Sequence, residues 1–259
     1  MRVQSNNAHK SKIAQHFSRA ATSYCNHNSL QRQCAETLLQ MLPQNSGVTV
    51  DAGCGPGVNT LALQRRASHY IGLDFAAGML QQAQAGYADG SSWVQADIEA
   101  LPFAERSIDT IYANLAVQWV TDLPRTLQQV VDCLKPSGRA VLSTVMDGSL
   151  APLGGCFQRV TGNVRHNKFI DTQQLDACLK GLKGVTWRCT QQSIAVPYQQ
   201  VRDMLHDLKG IGANYTLHQT RRLTKSQLSA VETAMEAHRS TDGALFLHWK
   251  IAFIELIKG

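Results

Sequence analysis

Apolar and polar positions along this chain recur with two periods, and where one period gives way to the other the chain divides into helices and strands. Residues 9–24 place Ile13, Phe17, Ala20 or Ala21, and Tyr24 at helical spacing, which predicts a helix with one apolar stripe. A second helix is expected after Asn28 or Ser29, either of which can cap it, with Leu30, Cys34, Leu38 and Met41 or Leu42 facing inward and Pro43 as its stop. From residue 48 to residue 145, short β-branched runs alternate with helix-compatible segments over 58–66, 76–85 and 122–134, and 139–145 forms the fifth strand. Such alternation with short connections implies a parallel sheet with helical crossovers, whose ligands bind beyond the carboxyl ends of the strands.

Residues 146–169 break this rhythm with Gly148, Pro152, Gly154, Gly155 and Gly162, and read as an inserted loop with some helix beside the site. A helix from 171 or 172 to 179, a sixth strand over 185–196 and a short helix over 201–208 follow, the last ending in Lys209-Gly-Ile-Gly-Ala213. Thr224-Lys-Ser-Gln227 has the capping-box pattern ahead of a helix to about 237, and 244–257 supplies the last strand.

The chemistry gathers at 48–57, where Val-Thr-Val-Asp51 runs into Gly53, Gly55 and Gly57. Glycines there let the chain turn with positive φ and let a ligand lie on main-chain N–H groups, because no Cβ intervenes. A nucleotide-like ligand is implied. The spacing does not fit the dinucleotide fingerprint, and the Gly-Lys-Ser/Thr of a phosphate-binding loop is absent. Asp74 closes the next apolar run, at a strand tip where a carboxylate can accept both hydroxyls of a ribose. Asp97 and Ile98 follow Trp93-Val94, and Asn114 follows the run 108–113, so four successive strand ends carry polar groups of matching kind.

Composition changes this picture in two ways. The net charge of +6 is uneven: residues 1–35 hold five Lys or Arg and no acid, 36–150 hold six bases and eleven acids, and 151–259 hold fourteen bases and eight acids. Basic segments thus flank an acidic core, which suits an acidic partner. No Lys/Arg run exceeds two and aromatics do not interleave with them, so nucleic acid is not the expected partner. The seven cysteines form no Cys-x-x-Cys and no metal-ligand spacing, so reduced, mostly buried thiols and no metal are expected, with Cys54 packed beneath the ligand. The chain shows neither an apolar run of membrane-spanning length nor a signal peptide's apolar core, so a soluble cytoplasmic protein, with no membrane partner, is the expectation.

Asp51-Ala-Gly-Cys-Gly-Pro-Gly57 resembles motif I of class I S-adenosylmethionine (SAM) methyltransferases. Five further pieces narrow the resemblance: Asn114-Leu-Ala-Val-Gln-Trp119, Gly148-Ser-Leu150, His166-x-x-Phe169, Leu208-Lys-Gly-Ile-Gly-Ala213 and Leu223-Thr-x-Ser-Gln-Leu228. Together they are similar to the malonyl-[acyl-carrier protein] O-methyltransferases of biotin synthesis over nearly the whole chain. The resemblance implies an α/β fold: a doubly wound, mostly parallel seven-stranded sheet, Rossmann-like, with N-terminal helices and an inserted cap. One domain would span 1–259, with N-terminal helices over 1–46, the SAM-binding core over 47–146, and cap segments over 147–170 and 198–240.

That resemblance further implies that SAM is the methyl donor, held by Arg32, Asp51, Gly53, Gly55, Asp74, Met79, Asp97, Ile98, Asn114 and Leu115, with Asp97 facing the adenine amino group. Tyr24 and Trp119 would wall and position the methyl-transfer pocket, and His166 and Lys209 would contact substrate. The free carboxylate of a malonyl thioester, on an acidic acyl carrier protein or on coenzyme A, would attack the methyl. Such a carboxylate (pKa ~4) is ionised at neutral pH and requires no general base. A cation must hold it; Lys209 is the candidate, with Arg165 and His166 as alternatives. A C-methyltransferase acting on a quinone precursor, or an assembly protein that kept the fold without the reaction, are the competing readings.

Overall fold

In the computed structural model, which describes residues 2–87, 90–166, 168–211 and 223–259, seven strands form one sheet. The elements in chain order are α1 (Arg2–Ala20), α2 (Ser29–Met41), β1 (Gly47–Ala52), α3 (Thr60–Gln64), β2 (Ala67–Asp74), α4 (Ala77–Gly86), β3 (Ser91–Gln95) and β4 (Ile108–Ala113). They continue with α5 (Leu123–Cys133), β5 (Leu134–Val145), α6 (Leu153–Thr161), α7 (Thr172–Lys180), β6 (Val185–Tyr198), α8 (Val201–Gly210), α9 (Lys225–Glu236) and β7 (Leu245–Lys258). The strand order is β3-β2-β1-β4-β5-β7-β6; β1 to β5 pair in parallel, and β7 runs antiparallel to both β5 and β6. The order reverses between β1 and β4, the point at which ligands of such sheets bind.

The apolar runs bury as their period requires. Val50, Ala52, Ile111, Ala113, Leu142 and Ile254 pack with α5 and α7 on one face, while Tyr70, Tyr112, Val141 and Phe253 pack with α2, α6 and α9 on the other. No helix among the described residues is long and apolar enough to cross a membrane.

Several boundaries differ from the pattern, each for a local reason. The helix expected over 58–66 begins only at Thr60, because Gly57 N–H donates to the Cys54 carbonyl (3.1 Å) and Thr60 N–H to the Gly57 carbonyl (3.0 Å), so the glycine turn runs on. The first helix stops at Ala20: Ser23 donates to the Ala20 carbonyl through both its N–H (3.0 Å) and its hydroxyl (3.1 Å), and Tyr24 opens a short 3-10 turn. Asn28 is the N-cap of α2, yet its side chain makes no capping bond. The capping box at Thr224 and Gln227 forms as expected, with both bonds at 3.1 Å. The inserted segment contains α6, and α8 continues through Lys209 and Gly210, which were expected to lie beyond it. Gly212, Ala213, Arg221 and Asn167 lie outside the described residues.

Candidate active site

The turn after β1 is stitched to the end of β2. Gly53 and Cys54 N–H groups both donate to the Leu73 carbonyl (2.7 and 3.0 Å), and Gly55 N–H donates to Asp74 Oδ2 (2.9 Å). Gly53 has φ +82°, and a Cβ there would meet the Ala116 Cβ at 2.6 Å, so only glycine fits the turn against the segment after β4. Ala76 N–H takes the other Asp74 oxygen at 2.8 Å. Burial raises the Asp74 carboxyl to about 6, against the pull of the Ala76, Gly55 and Phe75 backbone N–H groups. A carboxylate oxygen offers about two acceptor sites. The fixed carboxylate therefore keeps acceptor capacity toward the cavity that it lines.

Gly53, Gly55, Asp74, Met79, Asp97, Ile98, Asn114 and Leu115 line this first cavity together, so eight of the ten residues expected to hold SAM converge. Asp97 Oδ1 caps the following 3-10 turn through Glu99 N–H (3.0 Å), while Lys10 from α1 pairs with both Asp97 and Glu99. Asn114 is oriented by donating to the Gln31 carbonyl (2.8 Å) and accepting from Ser143 Oγ (2.9 Å). α1 crosses the start of α4, where Ser18 Oγ accepts from Gly78 N–H (3.2 Å) and a Cβ on Gly78 would lie 2.8 Å from the Ser18 Cβ.

Two expected cofactor residues are not brought to this cavity. Asp51 is 1% exposed beneath the turn, lines neither cavity, and accepts from the Tyr70 hydroxyl at 3.1 Å. Burial raises its carboxyl to about 7, the Tyr70 hydrogen bond opposing and Asp74 adding to the rise. Arg32 is exposed, and its guanidinium donates to the Cys25 carbonyl (3.1 Å); Gln31, one position earlier, lines the neighbouring cavity instead. Cys54 is buried with its thiol pushed well above the usual value by burial, which suits packing and not nucleophilic attack.

A second cavity of about 290 Å³ adjoins the first, and Phe17, Tyr24, Leu115 and Trp119 line both. Phe17 meets Trp119 edge-on at 5.2 Å between ring centroids. Burial, with the nearby Asp74 and Asp51 charges, pushes the Tyr24 hydroxyl far above its ordinary pKa, so it remains protonated and acts as a donor. Tyr24 and Trp119 thus lie together in the wall that the two cavities share.

Arg165 and His166 line the far side of the second cavity. Arg165 is held at φ +58°, a region that non-glycine residues rarely enter, and its guanidinium carbon lies 5.9 Å from the Phe157 ring centroid. His166 stacks on Phe169 at 5.7 Å and 8°, and Gly154 leaves room for it, since a Cβ there would lie 2.9 Å from His166 Nε2. Lys209, the expected carboxylate holder, is exposed and lines neither cavity. The reason is helical phase. Leu205, Leu208 and Ile211 turn toward the cavity, and because α8 continues unbroken, Lys209 lies about 100° around the axis from Leu208.

Gln31, Phe157 and Trp249 line the second cavity although no sequence pattern marks them, and Phe17 is marked only as part of an apolar stripe. Trp249 sits in a strand whose alternation gives no hint of a cavity.

Comparison with known proteins agrees with this geometry. Residues 50–142 match a family model described as a methyltransferase domain. The malonyl-[acyl-carrier protein] O-methyltransferase of Enterobacter lignolyticus is 35% identical over 229 residues, covering 87% of this chain and 89% of that one. The biotin biosynthesis bifunctional protein BioHC of Cellvibrio japonicus is 33% identical over 253 residues, 96% of this chain; this chain spans 50% of that protein's length. In fold, the chain resembles the crystal structure of YcgJ from Bacillus subtilis, with a TM-score of 0.62, 16% identity, and coverage of 88% of this chain and 98% of that one.

Proposed function

The chain belongs to the malonyl-[acyl-carrier protein] O-methyltransferase family of SAM-dependent methyltransferases, and from that premise we propose that it methylates the free carboxylate of a malonyl thioester carried on acyl carrier protein. The observation that carries this reading is the pair of cavities sharing one aromatic wall. On one side stands the Asp74 carboxylate and on the other the Arg165 guanidinium, with Phe17, Tyr24, Leu115 and Trp119 between them.

The residues of the first cavity fit SAM: backbone at Gly53 and Gly55 that a ligand can approach, an acceptor at Asp74 for ribose hydroxyls, and Met79, Asp97 and Ile98 for the adenine end. SAM supplies a methyl on a sulfonium; an O–CH3 bond forms as the S–CH3 bond breaks, the electron pair stays on sulfur, and no proton moves. The malonyl carboxylate, of pKa ~4, is already the nucleophile at neutral pH. The protein's task is therefore to hold and align it. Arg165 remains charged although burial lowers its pKa, because a guanidinium starts so high. It can bind one carboxylate oxygen and leave the other free to attack. Phe17, Tyr24 and Trp119 exclude water around the transfer path, and alignment of this kind can supply on the order of 7–11 kcal/mol of barrier lowering.

The carrier is an acidic protein on this reading, matched by the basic segments that flank the core; malonyl-coenzyme A would present the same reacting group. Arg19 is exposed on α1 and is the docking residue proposed here; Arg221, the other candidate, lies outside the described residues. Its setting is the cytoplasm, where carrier-bound acyl chains are made and used.

Incubation with methyl-labelled SAM and malonyl carrier protein should add the mass of one methyl to the malonyl group. Absence of that gain, or transfer to carbon of a quinone precursor instead, overturns the reading. The rate at saturating substrates should be nearly flat from pH 6 to 8. A steep rise would indicate a general base, for which His166 is the group in place.

A further inference from the structure

Lys209 of the Leu208-Lys-Gly-Ile-Gly-Ala213 stretch lines neither cavity, so the glycine beside it, Gly210, must be present for another reason. Gly210 is the last residue of α8 and its φ is not positive, so the helix by itself would favour alanine there. What excludes a side chain is His27: a Cβ on Gly210 would overlap the imidazole ring. Two hydrogen bonds flank this close approach. Ser23 Oγ donates to the Gly210 carbonyl at 3.1 Å, and His27 Nδ1 lies 2.6 Å from Asp207 Oδ1. A carboxylate can only accept, so the nitrogen carries the proton. The Tyr198 hydroxyl, at the end of β6, donates to the same carboxylate, and His206 meets the His27 ring edge-on at 4.7 Å between centroids. The His27 and Asp207 side chains are only 14% and 25% exposed, so water competes little for their bond.

These contacts fasten α8 to the short turn that carries Tyr24. His27 N–H donates to the Tyr24 carbonyl (3.1 Å) and Asn26 N–H to the Ser23 carbonyl (3.0 Å), so the turn is closed on itself and its two ends are both held by α8. Tyr24 lines both cavities, whereas His27 lines neither. We propose that His27 is a positioning residue for methyl transfer: clasping Asp207 across the Cβ-free surface of Gly210, it holds the turn on α8 and so fixes Tyr24 in the wall between the cavities. This rests on the methyl-transfer reading above and gives the glycine of the stretch after Leu208 a task that Lys209 does not have. The fixing matters because a displacement of about 1 Å at a reacting site can cost on the order of a hundredfold in rate.

The test is a cycle between His27 and Tyr24, read as kcat for transfer from SAM to malonyl carrier protein, with SAM affinity measured by calorimetry alongside. His27→Phe keeps a ring against Gly210 and His206 and removes the bond to Asp207. It should lower kcat by about tenfold, the worth of one hydrogen bond to a charged group, and leave SAM affinity within about twofold, since Asp74 and Asn114 are held by the sheet. In a Tyr24→Ala chain the same substitution should cost nothing further, because a residue that acts through another has no effect once that one is gone. Gly210→Ala should reproduce the loss in the wild-type chain and have no effect once His27 is replaced by alanine. Unchanged kcat in both His27→Phe and Gly210→Ala, or an equal loss with and without Tyr24, overturns the proposal. If His27→Phe does not fold, Gly210→Ala decides alone. If wild type transfers no methyl to malonyl carrier protein, the methyl-transfer reading itself fails and this inference with it, an outcome distinct from transfer that these substitutions leave untouched.

Discussion

The cavity beyond β1, β2 and β4 takes its polar groups from consecutive strand ends, each a few residues past an apolar run. The adjoining cavity is walled by pieces of α2, α6, α8 and β7 that are far apart in sequence. The first is held by backbone: Asp74 is fixed by the Gly55 and Ala76 N–H groups, and Gly53 by the Leu73 carbonyl. The second is held by side-chain packing, with Phe157, Leu205, Leu208 and Trp249 around Arg165 and His166. A backbone-built site tolerates change in its neighbours and fails when one anchor is lost. A packed site should instead divide its work among many residues, with smaller single effects.

The sharpest way to break this contrast is at Asp74. Asp74→Ala should weaken SAM binding by about 1.5–3 kcal/mol, roughly tenfold to over a hundredfold, as measured by titration calorimetry. Unchanged affinity would remove Asp74 from the cofactor site. In the packed cavity, Arg165→Gln should raise KM for malonyl carrier protein by about tenfold while leaving SAM affinity intact, and Lys209→Ala should change neither. The reverse pattern, loss at Lys209 and none at Arg165, would return the carboxylate to α8.

Acidity probes the cofactor end alone. Asp74 must be ionised to accept two hydroxyls, and its carboxyl is raised to about 6. SAM affinity should therefore be constant above about pH 7 and fall by up to ~10-fold per unit below pH 6, whereas a flat affinity down to pH 5 would contradict the assignment.

The smallest effect concerns Asp51. Its folded-state value, about 7, lies above the ordinary 3.8, so the stability it contributes is fully present only below about 4 and is lost as pH rises through 7. Asn does not titrate and can still accept from Tyr70. Asp51→Asn should raise the Tm of the free protein at pH 8 by at least ~2–4 °C, with the gain shrinking toward pH 4. A gain independent of pH would mean that the buried charge is not its origin.

Much of the fold was legible along the chain because a strand in a parallel sheet must be apolar and must end where polarity begins. Val48–Asp51, the run to Asp74 and the run to Asn114 carry that boundary within themselves, so Asp74, Asn114 and the glycines could be grouped at one sheet end before any contact was known, although Asp51 lies beneath the turn and lines neither cavity. The capping box at Thr224 was legible for the same reason, its two bonds lying within four residues. The errors occurred where phase mattered. Taking α8 to end at Leu208 left Lys209 free to point anywhere, whereas Val201, Met204, Leu205, Leu208 and Ile211 already describe one inward face that excludes it. Arg32 was misplaced in the same way on α2, where the inward stripe of Leu30, Cys34 and Leu38 leaves it exposed.

The sequence by itself determined the sheet, the glycine turn and the acid at the neighbouring strand end, because each depends on hydrogen bonds between neighbouring strands and on where an apolar run stops. It also carried the family, through short stretches several of whose residues line the two cavities. Only the tertiary structure decided that Tyr24 leaves its helix to join Phe17, Leu115 and Trp119, that Arg165 and not Lys209 lines the second cavity, and that Trp249 of β7 joins that same lining. A cavity is the space that packed elements leave between them. Its lining depends on the rotation of every surrounding helix at once, and no single segment encodes that.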